Sequence, residues 1–361
     1  MYKRQRVLVV DDSAFNRKAI KEMLETSPLI EVVGTAVDGE DAMKRVIELK
    51  PDVITLDLEM PKMDGFTFLR ILMSNFPTPV IVISSRDEVR FVFKAMELGA
   101  VDFIAKPTHL ASTDLYNVKD ELLTKIAMAS SMNIDAVKPS KAIEMGRLYT
   151  AKPFTGKKAV AFPFSVVLIG SSTGGPAALN TICAMIAADV PAAFAVSQHM
   201  PAGFTRSFAD RLNRFSYIKV EEASHGSVLR QGRMLIAPGG YNMTFVHDGI
   251  DIKTHLTTGG TDKFVPSVDK MFLSGAELFG HLAVAVVLTG MGNDGKEGVK
   301  ALKAKGAHII AQSEETSVIF GMPKEAIATG SVDEVLPLNS IAPAIVTACK
   351  NEALKRQTES Q

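Results

Sequence analysis

Short apolar runs recur along this chain, and between them lie stretches whose apolar positions return every three or four residues. In the first third the runs fall at 7–10, 30–34, 53–56, 80–83 and 101–104, and the amphipathic stretches at 15–25, 41–49, 66–75 and 89–98. Short apolar runs bounded by turn residues read as buried strands, and the longer period reads as helix. Such alternation predicts an α/β domain with a mostly parallel, doubly wound sheet and helices on both faces. The pattern stops at about residue 127 and restarts after 163, with strands expected at 165–169, 193–197, 234–237, 284–289 and 308–311 and a helix at 177–187. Residues 217–221, and the pair 243–247 with 250–253, add edge strands or a hairpin. The expectation is two doubly wound parallel-sheet domains, at 4–125 and 164–352, joined by a linker at 126–163 and followed by a polar tail at 353–361.

Composition narrows the class. A length of 361 residues suits two domains at about 150 residues each, and 47% hydrophobic with 22% charged residues is ordinary for globular chains. Forty basic residues balance forty acidic ones, so nothing global advertises nucleic acid or an anionic membrane. The stretch 127–163 carries six Lys/Arg against two Asp/Glu, which fits an exposed, solvated tether. Two cysteines, Cys183 and Cys349, cannot build a disulfide framework or a Cys-rich zinc site and read as small buried residues of a reduced chain. No apolar run reaches the length of a membrane span, and the polar start, 1–6, leads straight into a strand. A cytoplasmic protein without membrane insertion is expected.

In an open parallel sheet, chemistry gathers beyond the carboxyl ends of the strands. There the first domain has Asp11-Asp12, then Asp57, Ser84-Ser85 and Lys106-Pro107 after its first, third, fourth and fifth strands. One acid at a strand end commonly caps the next helix. Three acids converging with a lysine call for a cation such as Mg²⁺ to relieve their repulsion, and a carboxylate so placed can attack a phosphoryl group. This ordered set, with Asp64-Gly65 at a turn, resembles the receiver domain of bacterial response regulators, a flavodoxin-like fold. The resemblance implies phosphorylation at Asp57, and Mg²⁺ held by Asp11, Asp12, Asp57 and the backbone carbonyl of Glu59. It gives Ser84 and Phe103 to the switch that follows the phosphoryl group, and Lys106 to the phosphoryl contact.

The second domain opens with a strand running into Gly170-Ser171-Ser172-Thr173-Gly174-Gly175-Pro176. The spacing Gly170-x-Ser172-x-Gly174 fits a nucleophile elbow, while a phosphate-binding loop or a serine helix cap are the plainer readings. No Lys-Ser or Lys-Thr pair closes the loop as a Walker motif requires. His199, just past the next strand, is the best candidate base, and Asp294, on the loop Gly290–Gly295, the candidate orienting acid. The order Ser, His, Asp departs from the Ser, acid, His order of α/β-hydrolases. Residues 164–348 resemble the catalytic domain of the bacterial chemotaxis methylesterases, a Rossmann-like fold, in 170–176, 198–201, 204–208, 266–269, 289–295 and 321–323. Receiver, linker and esterase in this order is that family's architecture.

The resemblance implies a catalytic triad of Ser172, His199 and Asp294, with the Thr173 and Met291 N–H groups as oxyanion donors. The implied reaction is hydrolysis of glutamyl methyl esters on methyl-accepting chemotaxis receptors, with deamidation of receptor glutamines in many members. A chemotaxis histidine kinase is the implied phosphodonor, Arg206 a candidate grip on acidic receptor side chains, and no cofactor is expected in the esterase domain. The stretch Pro238–Met243 departs from the more polar, often histidine-containing loop of that family. A receiver-regulated serine esterase or amidase on another substrate shares every motif; a non-catalytic binding module ranks below both because no triad member is missing.

Overall fold

The computed structural model describes residues 4–84, 89–106, 112–129, 132–137 and 164–359, and of 112–117, 137 and 355–359 the backbone alone. Most of the expected linker, from 138 on, lies outside the described residues, as do Ser85 and Pro107. The chain divides into two compact units at Pro139 and Ser140.

In the first unit, strands β1 (Gln5–Val10), β2 (Ile30–Ala36), β3 (Val53–Leu56), β4 (Val80–Ser84) and β5 (Asp102–Ala105) form one sheet in the order β2-β1-β3-β4-β5. All its pairings are parallel. Every residue of β3 and β4 is buried, because helices cover both faces of a parallel sheet. The helices Ala14–Glu25, Gly39–Leu49, Gly65–Asn75, Val89–Glu97 and Ser112–Ala127 supply that cover. Ser13, Asp38 and Asp64 start the first three, each side chain accepting a backbone N–H of the first turn. Sheet order reverses between β1 and β3, so the residues after these two strands flank a crevice.

The second unit carries a seven-stranded parallel sheet, β14-β13-β12-β6-β7-β9-β8. Its strands are β6 (Ser165–Ser171), β7 (Ala192–Gln198), β8 (Lys219–Glu222), β9 (Arg233–Ile236), β12 (Ala283–Val287), β13 (His308–Gln312) and β14 (Glu334–Leu336). Strands β10 (Tyr241–His247) and β11 (Ile252–Thr258) pair antiparallel as a separate hairpin, so the expected 243–247 and 250–253 pair is a hairpin and only the 217–221 segment becomes an edge strand. The edge strand β14 carries no apolar run, being three partly exposed residues.

The core of this unit lies where Val166, Leu168, Ala285 and Val287 meet Met271, Phe272 and Ala276 of the helix Val268–Phe279. Cys183 and Cys349 are both buried, and burial alone pushes the Cys183 thiol up to about 12. The last helix, Leu338–Glu359, contains most of the segment expected as a polar tail. No helix among the described residues is long and apolar enough to cross a membrane.

One close approach sets where helix Val268–Phe279 begins. A Cβ at Gly170, near the end of β6, would lie 2.3 Å from Val268 Cγ1, so only glycine lets this helix start seat against the strand. Gly170→Ala should therefore destabilise the second unit by about 1–3 kcal/mol through overpacking. Thermal unfolding of the full-length variant checks this, and an unchanged transition would refute it.

Candidate functional site

The first unit gathers its acids at the crevice beside β1 and β3. Asp11 and Asp57 are 1% and 4% exposed, while Asp12 faces solvent. One carboxylate oxygen from each of the three lies within 4.8 Å of the others. Lys106, after β5, answers part of their charge: its Nζ lies 2.7 Å from Asp57 Oδ2 and 3.3 Å from Asp11 Oδ2. Burial pushes the Asp57 carboxyl up to about 6 against the opposing pull of Lys106, with Asp11 adding to the rise. Burial works against the Lys106 charge, yet Asp57 and Asp11 hold its ammonium above the ordinary lysine range. Three oxygen donors with surplus negative charge, one of them open to water, match what a hard divalent ion such as Mg²⁺ requires.

Several supports of this cluster escaped sequence reasoning. Arg17 Nη1 donates to the carbonyls of Asp11 and Asp12 at 2.8 and 2.9 Å, and Asn16 Nδ2 lies 3.3 Å from both Asp11 carboxylate oxygens. The Leu58 N–H donates to Asp57 Oδ1 at 2.8 Å. Gly65 is required because its Cβ would come within 2.6 Å of the Asp57 carbonyl oxygen. Ser84 is fully buried at the end of β4, and its carbonyl accepts the Lys106 N–H. Phe103 is buried edge-on to Phe93, and Lys125 Nζ donates to its carbonyl. Lys125 is mostly shielded from solvent, and Asp102 and Glu121 outweigh that desolvation and hold its ammonium above the ordinary lysine range. Glu59 is exposed two residues beyond Asp57.

In the second unit, β6 ends at Ser171 and the helix Gly175–Met185 begins four residues on, with Pro176 in its first turn where the missing N–H costs nothing. Gly174 sits at φ 78°, and a Cβ there would meet Val318 at 2.6 Å. This strand-to-helix turn leaves Ser172 half-buried on its crest. Ser171 pairs in register with Gln198 at the end of β7, so Ser172 and His199 are the residues that directly follow two adjacent strands. Gln198 staples the turn: its Oε1 accepts Ser171 Oγ–H at 2.6 Å, and its Nε2 donates to the carbonyls of Ser172 and His199 at 2.9 and 3.0 Å. The Ser172 N–H reaches the Thr289 carbonyl at 3.1 Å, and Gly290 packs so closely that a Cβ there would lie 2.8 Å from Ser172 Cβ.

His199 Nε2 meets Asp294 Oδ2 at 2.8 Å. Ser172 Oγ has no hydrogen-bond partner among the described residues, so the structure brings the histidine and aspartate into contact and sets the serine beside them on the crest. Asp294 is 4% exposed and occupies the N-terminus of helix Val268–Phe279. Its Oδ1 accepts Ser267 Oγ–H at 3.1 Å and the Asp269 N–H at 2.8 Å, and its Oδ2 also accepts the Val268 N–H at 2.7 Å. Burial would raise this carboxyl, but His199 and the backbone donors outweigh it and hold the group below the usual carboxylate range. The helix dipole works in the same direction. Ser267–Asp269 was a stretch without a role in the sequence; the structure makes it the cradle of Asp294.

The remaining expected residues lie around this centre. Thr173 is buried in the turn, and its carbonyl accepts Thr289 Oγ–H at 3.0 Å. Met291 follows Gly290, whose carbonyl accepts the Gly321 and Met322 N–H groups, which explains the Gly321-Met322-Pro323 stretch. Arg206 is exposed in the first turn of the helix Thr205–Phe215. The divergent loop packs on the residues just after His199: a Cβ at Gly239 would fall 2.5 Å from the Pro201 carbonyl oxygen. Tyr241, at its end, is exposed.

Two crevices, one acidic beside a lysine and one holding a serine, a histidine and a cradled aspartate, define a receiver-type unit followed by a hydrolase-type unit. Comparison with known proteins agrees. Residues 7–115 match the response regulator receiver domain and residues 167–345 the CheB methylesterase family. The chain is 48% identical over 360 residues to a protein-glutamate methylesterase/protein-glutamine glutaminase of Geobacter sulfurreducens, covering 95% of this chain and 97% of that one. It is 46% identical to the protein of that name from Halalkalibacterium halodurans, covering 97% and 100%. The crystal structure of the Thermotoga maritima CheB methylesterase catalytic domain superposes with a TM-score of 0.50 at 37% identity, covering 52% of this chain and 99% of that one. The chain belongs to the CheB methylesterase family with an N-terminal receiver domain.

The depressed carboxyl of Asp294 carries a linkage consequence. Its stabilisation is fully present above the ordinary aspartate value of about 4 and is lost as pH falls through the lower folded value. Asp294→Asn should cost about 1–3 kcal/mol at pH 7 by leaving backbone donors poorly satisfied, and should lose less stability than wild type on acidification below pH 4. Denaturant unfolding followed by circular dichroism across this range tests it; parallel acid profiles would contradict the assignment.

Proposed function

We propose that this protein is a phosphorylation-activated esterase that hydrolyses glutamyl methyl esters on methyl-accepting chemotaxis receptors, and that it also deamidates receptor glutamines. The observation that supports it most is the cradled His199–Asp294 pair one register step from Ser172. The relatives named for both activities, matched along nearly their whole length, carry the substrate class.

Because Nε2 of His199 faces Asp294, Nδ1 is the nitrogen that takes the Ser172 proton. The Ser172 Oγ–carbon bond forms at the ester carbonyl while Asp294 holds the imidazole tautomer and balances the imidazolium. The Thr173 and Met291 N–H groups stabilise the oxyanion, each such donor being worth about 3 kcal/mol in other hydrolases. His199 then returns the proton to the departing methoxide, releasing methanol. Water repeats the sequence on the acyl-enzyme, its proton passing to His199 and on to Ser172 as glutamate leaves. With a glutamine the same steps expel ammonia. Arg206 meets acidic side chains near the modified position.

In the receiver, an Asp57 oxygen takes the phosphoryl group as the phosphorus–nitrogen bond of a chemotaxis kinase phosphohistidine breaks. Bound Mg²⁺, held by Asp11, Asp12, Asp57 and the Glu59 carbonyl, would supply charge neutralisation at the phosphoryl oxygens. Lys106 contacts the phosphoryl group, and Ser84 and Phe103 follow it, turning a local charge change into a shift of the β4–β5 face. Acting on these partners, the protein works in the cytoplasm, and phosphorylation of the receiver raises the esterase activity.

Methanol release from methylated receptor membranes, with Mg²⁺ and a small-molecule phosphodonor, tests the reading. Ser172→Ala should lower release by about 10³-fold or more. Asp57→Asn should keep the basal rate and lose the increase on adding phosphodonor. Persistent release by Ser172→Ala would overturn the nucleophile, and an undiminished response in Asp57→Asn would overturn the switch.

A further inference from the structure

We propose that Phe264 is a positioning residue that fixes the plane of the His199 ring; the inference deepens the esterase reading and rests on it. A single hydrogen bond from Nε2 of His199 to Asp294 pins one ring atom, but χ2 of histidine is a broad, soft torsion. Something else must hold the plane in which Nδ1 points. Phe264 lies flat on the imidazole, with ring centroids 4.8 Å apart and planes inclined by 5°.

The loop carrying Phe264 is built to stay in place. Asn242, fully buried on β10, donates from Nδ2 to Asp262 Oδ2 at 2.7 Å, and its Oδ1 accepts the Ser267 N–H at 2.8 Å. One amide thus ties down the chain on both sides of Phe264. Lys270 adds an ion pair to Asp262 at 2.5 Å. On the far side a Cβ at Gly292 would stand 3.3 Å from Phe264 Cζ, so glycine there leaves room for the ring. The same loop delivers Ser267 Oγ to Asp294, and so it holds both members of the acid–base pair.

The contact has an electrostatic side. The face of a benzene ring is electron-rich and favours a neighbouring cation. When His199 takes the serine proton, positive charge develops against that face. Lys263 Nζ lies over the same ring, 5.1 Å from its centroid.

The test compares full-length wild type, Phe264→Leu and Phe264→His, phosphodonor-activated, on methylated receptor membranes, with the ring signals of His199 followed by NMR of histidine-labelled protein. Phe264→Leu should lower kcat about tenfold with KM nearly unchanged, since small misplacements of a reacting group are costly. Phe264→His, which keeps an aromatic face, should recover most of that loss. The His199 ring protons, shielded by the Phe264 face, should move downfield in Phe264→Leu. A wild type that releases no methanol sinks the esterase reading itself. A wild type that does, beside a Phe264→Leu variant with unchanged kcat or a Phe264→His variant equally impaired, sinks only the role of Phe264.

Discussion

The Asp294 carboxylate is buried and charged, and whatever hydration it loses must be replaced by hydrogen bonds from the protein. It receives them from Ser267, Val268, Asp269 and His199. Most of the second unit's architecture follows from that demand. Helix Val268–Phe279 has to begin at this spot, with its free N–H groups turned toward the carboxylate. Gly170 has to be small so that Val268 can come in, and Asn242 has to hold the approach to Ser267. His199 is then oriented by an acid that cannot move.

The acid expected to react in the first unit lives under the opposite condition. Asp57 is also buried, but one N–H and one lysine are its principal supports, and Asp11 opposes its charge. Its carboxyl is driven up where that of Asp294 is held down. A carboxylate left under-stabilised gains from anything that brings positive charge or removes its own, which suits a group that exchanges ligands. A carboxylate supplied with donors on both oxygens is inert and suits a group that orients another. The contrast comes from the groups around each carboxylate, since both acids are buried: donors converge on Asp294, whereas Asp57 has Asp11 beside it.

Most strands were legible because parallel strands covered on both faces are buried throughout, as β3, β4, β6 and β12 are, and so read as mostly apolar runs. Strand β14 was not, because three partly exposed residues at a sheet edge carry no such signature. The candidate site residues could be picked out where chemistry demands a residue type at a strand end, as with Asp57, Lys106, Ser172 and His199. Their supports were not. Arg17, Gln198 and Asn242 act through side-chain bonds to backbone groups distant or irregular in sequence, and many polar residues could read the same way. Phe264 looks like an ordinary loop hydrophobe until the fold lays it on an imidazole. What escapes a single sequence is the geometry that tells a support from a bystander.

The strand that leads into Ser172 lies in the interior of its sheet, paired on one side with β12 and on the other with β7. Thermal opening in such a sheet starts at the edges, here β8 and β14, and works inward. Amide hydrogen exchange would therefore find the strands that lead into Ser172 and His199 among the slowest in the unit, while its margins open and close. The fold keeps the candidate site residues out of its own breathing motions, and it leaves the margins free to move without disturbing them.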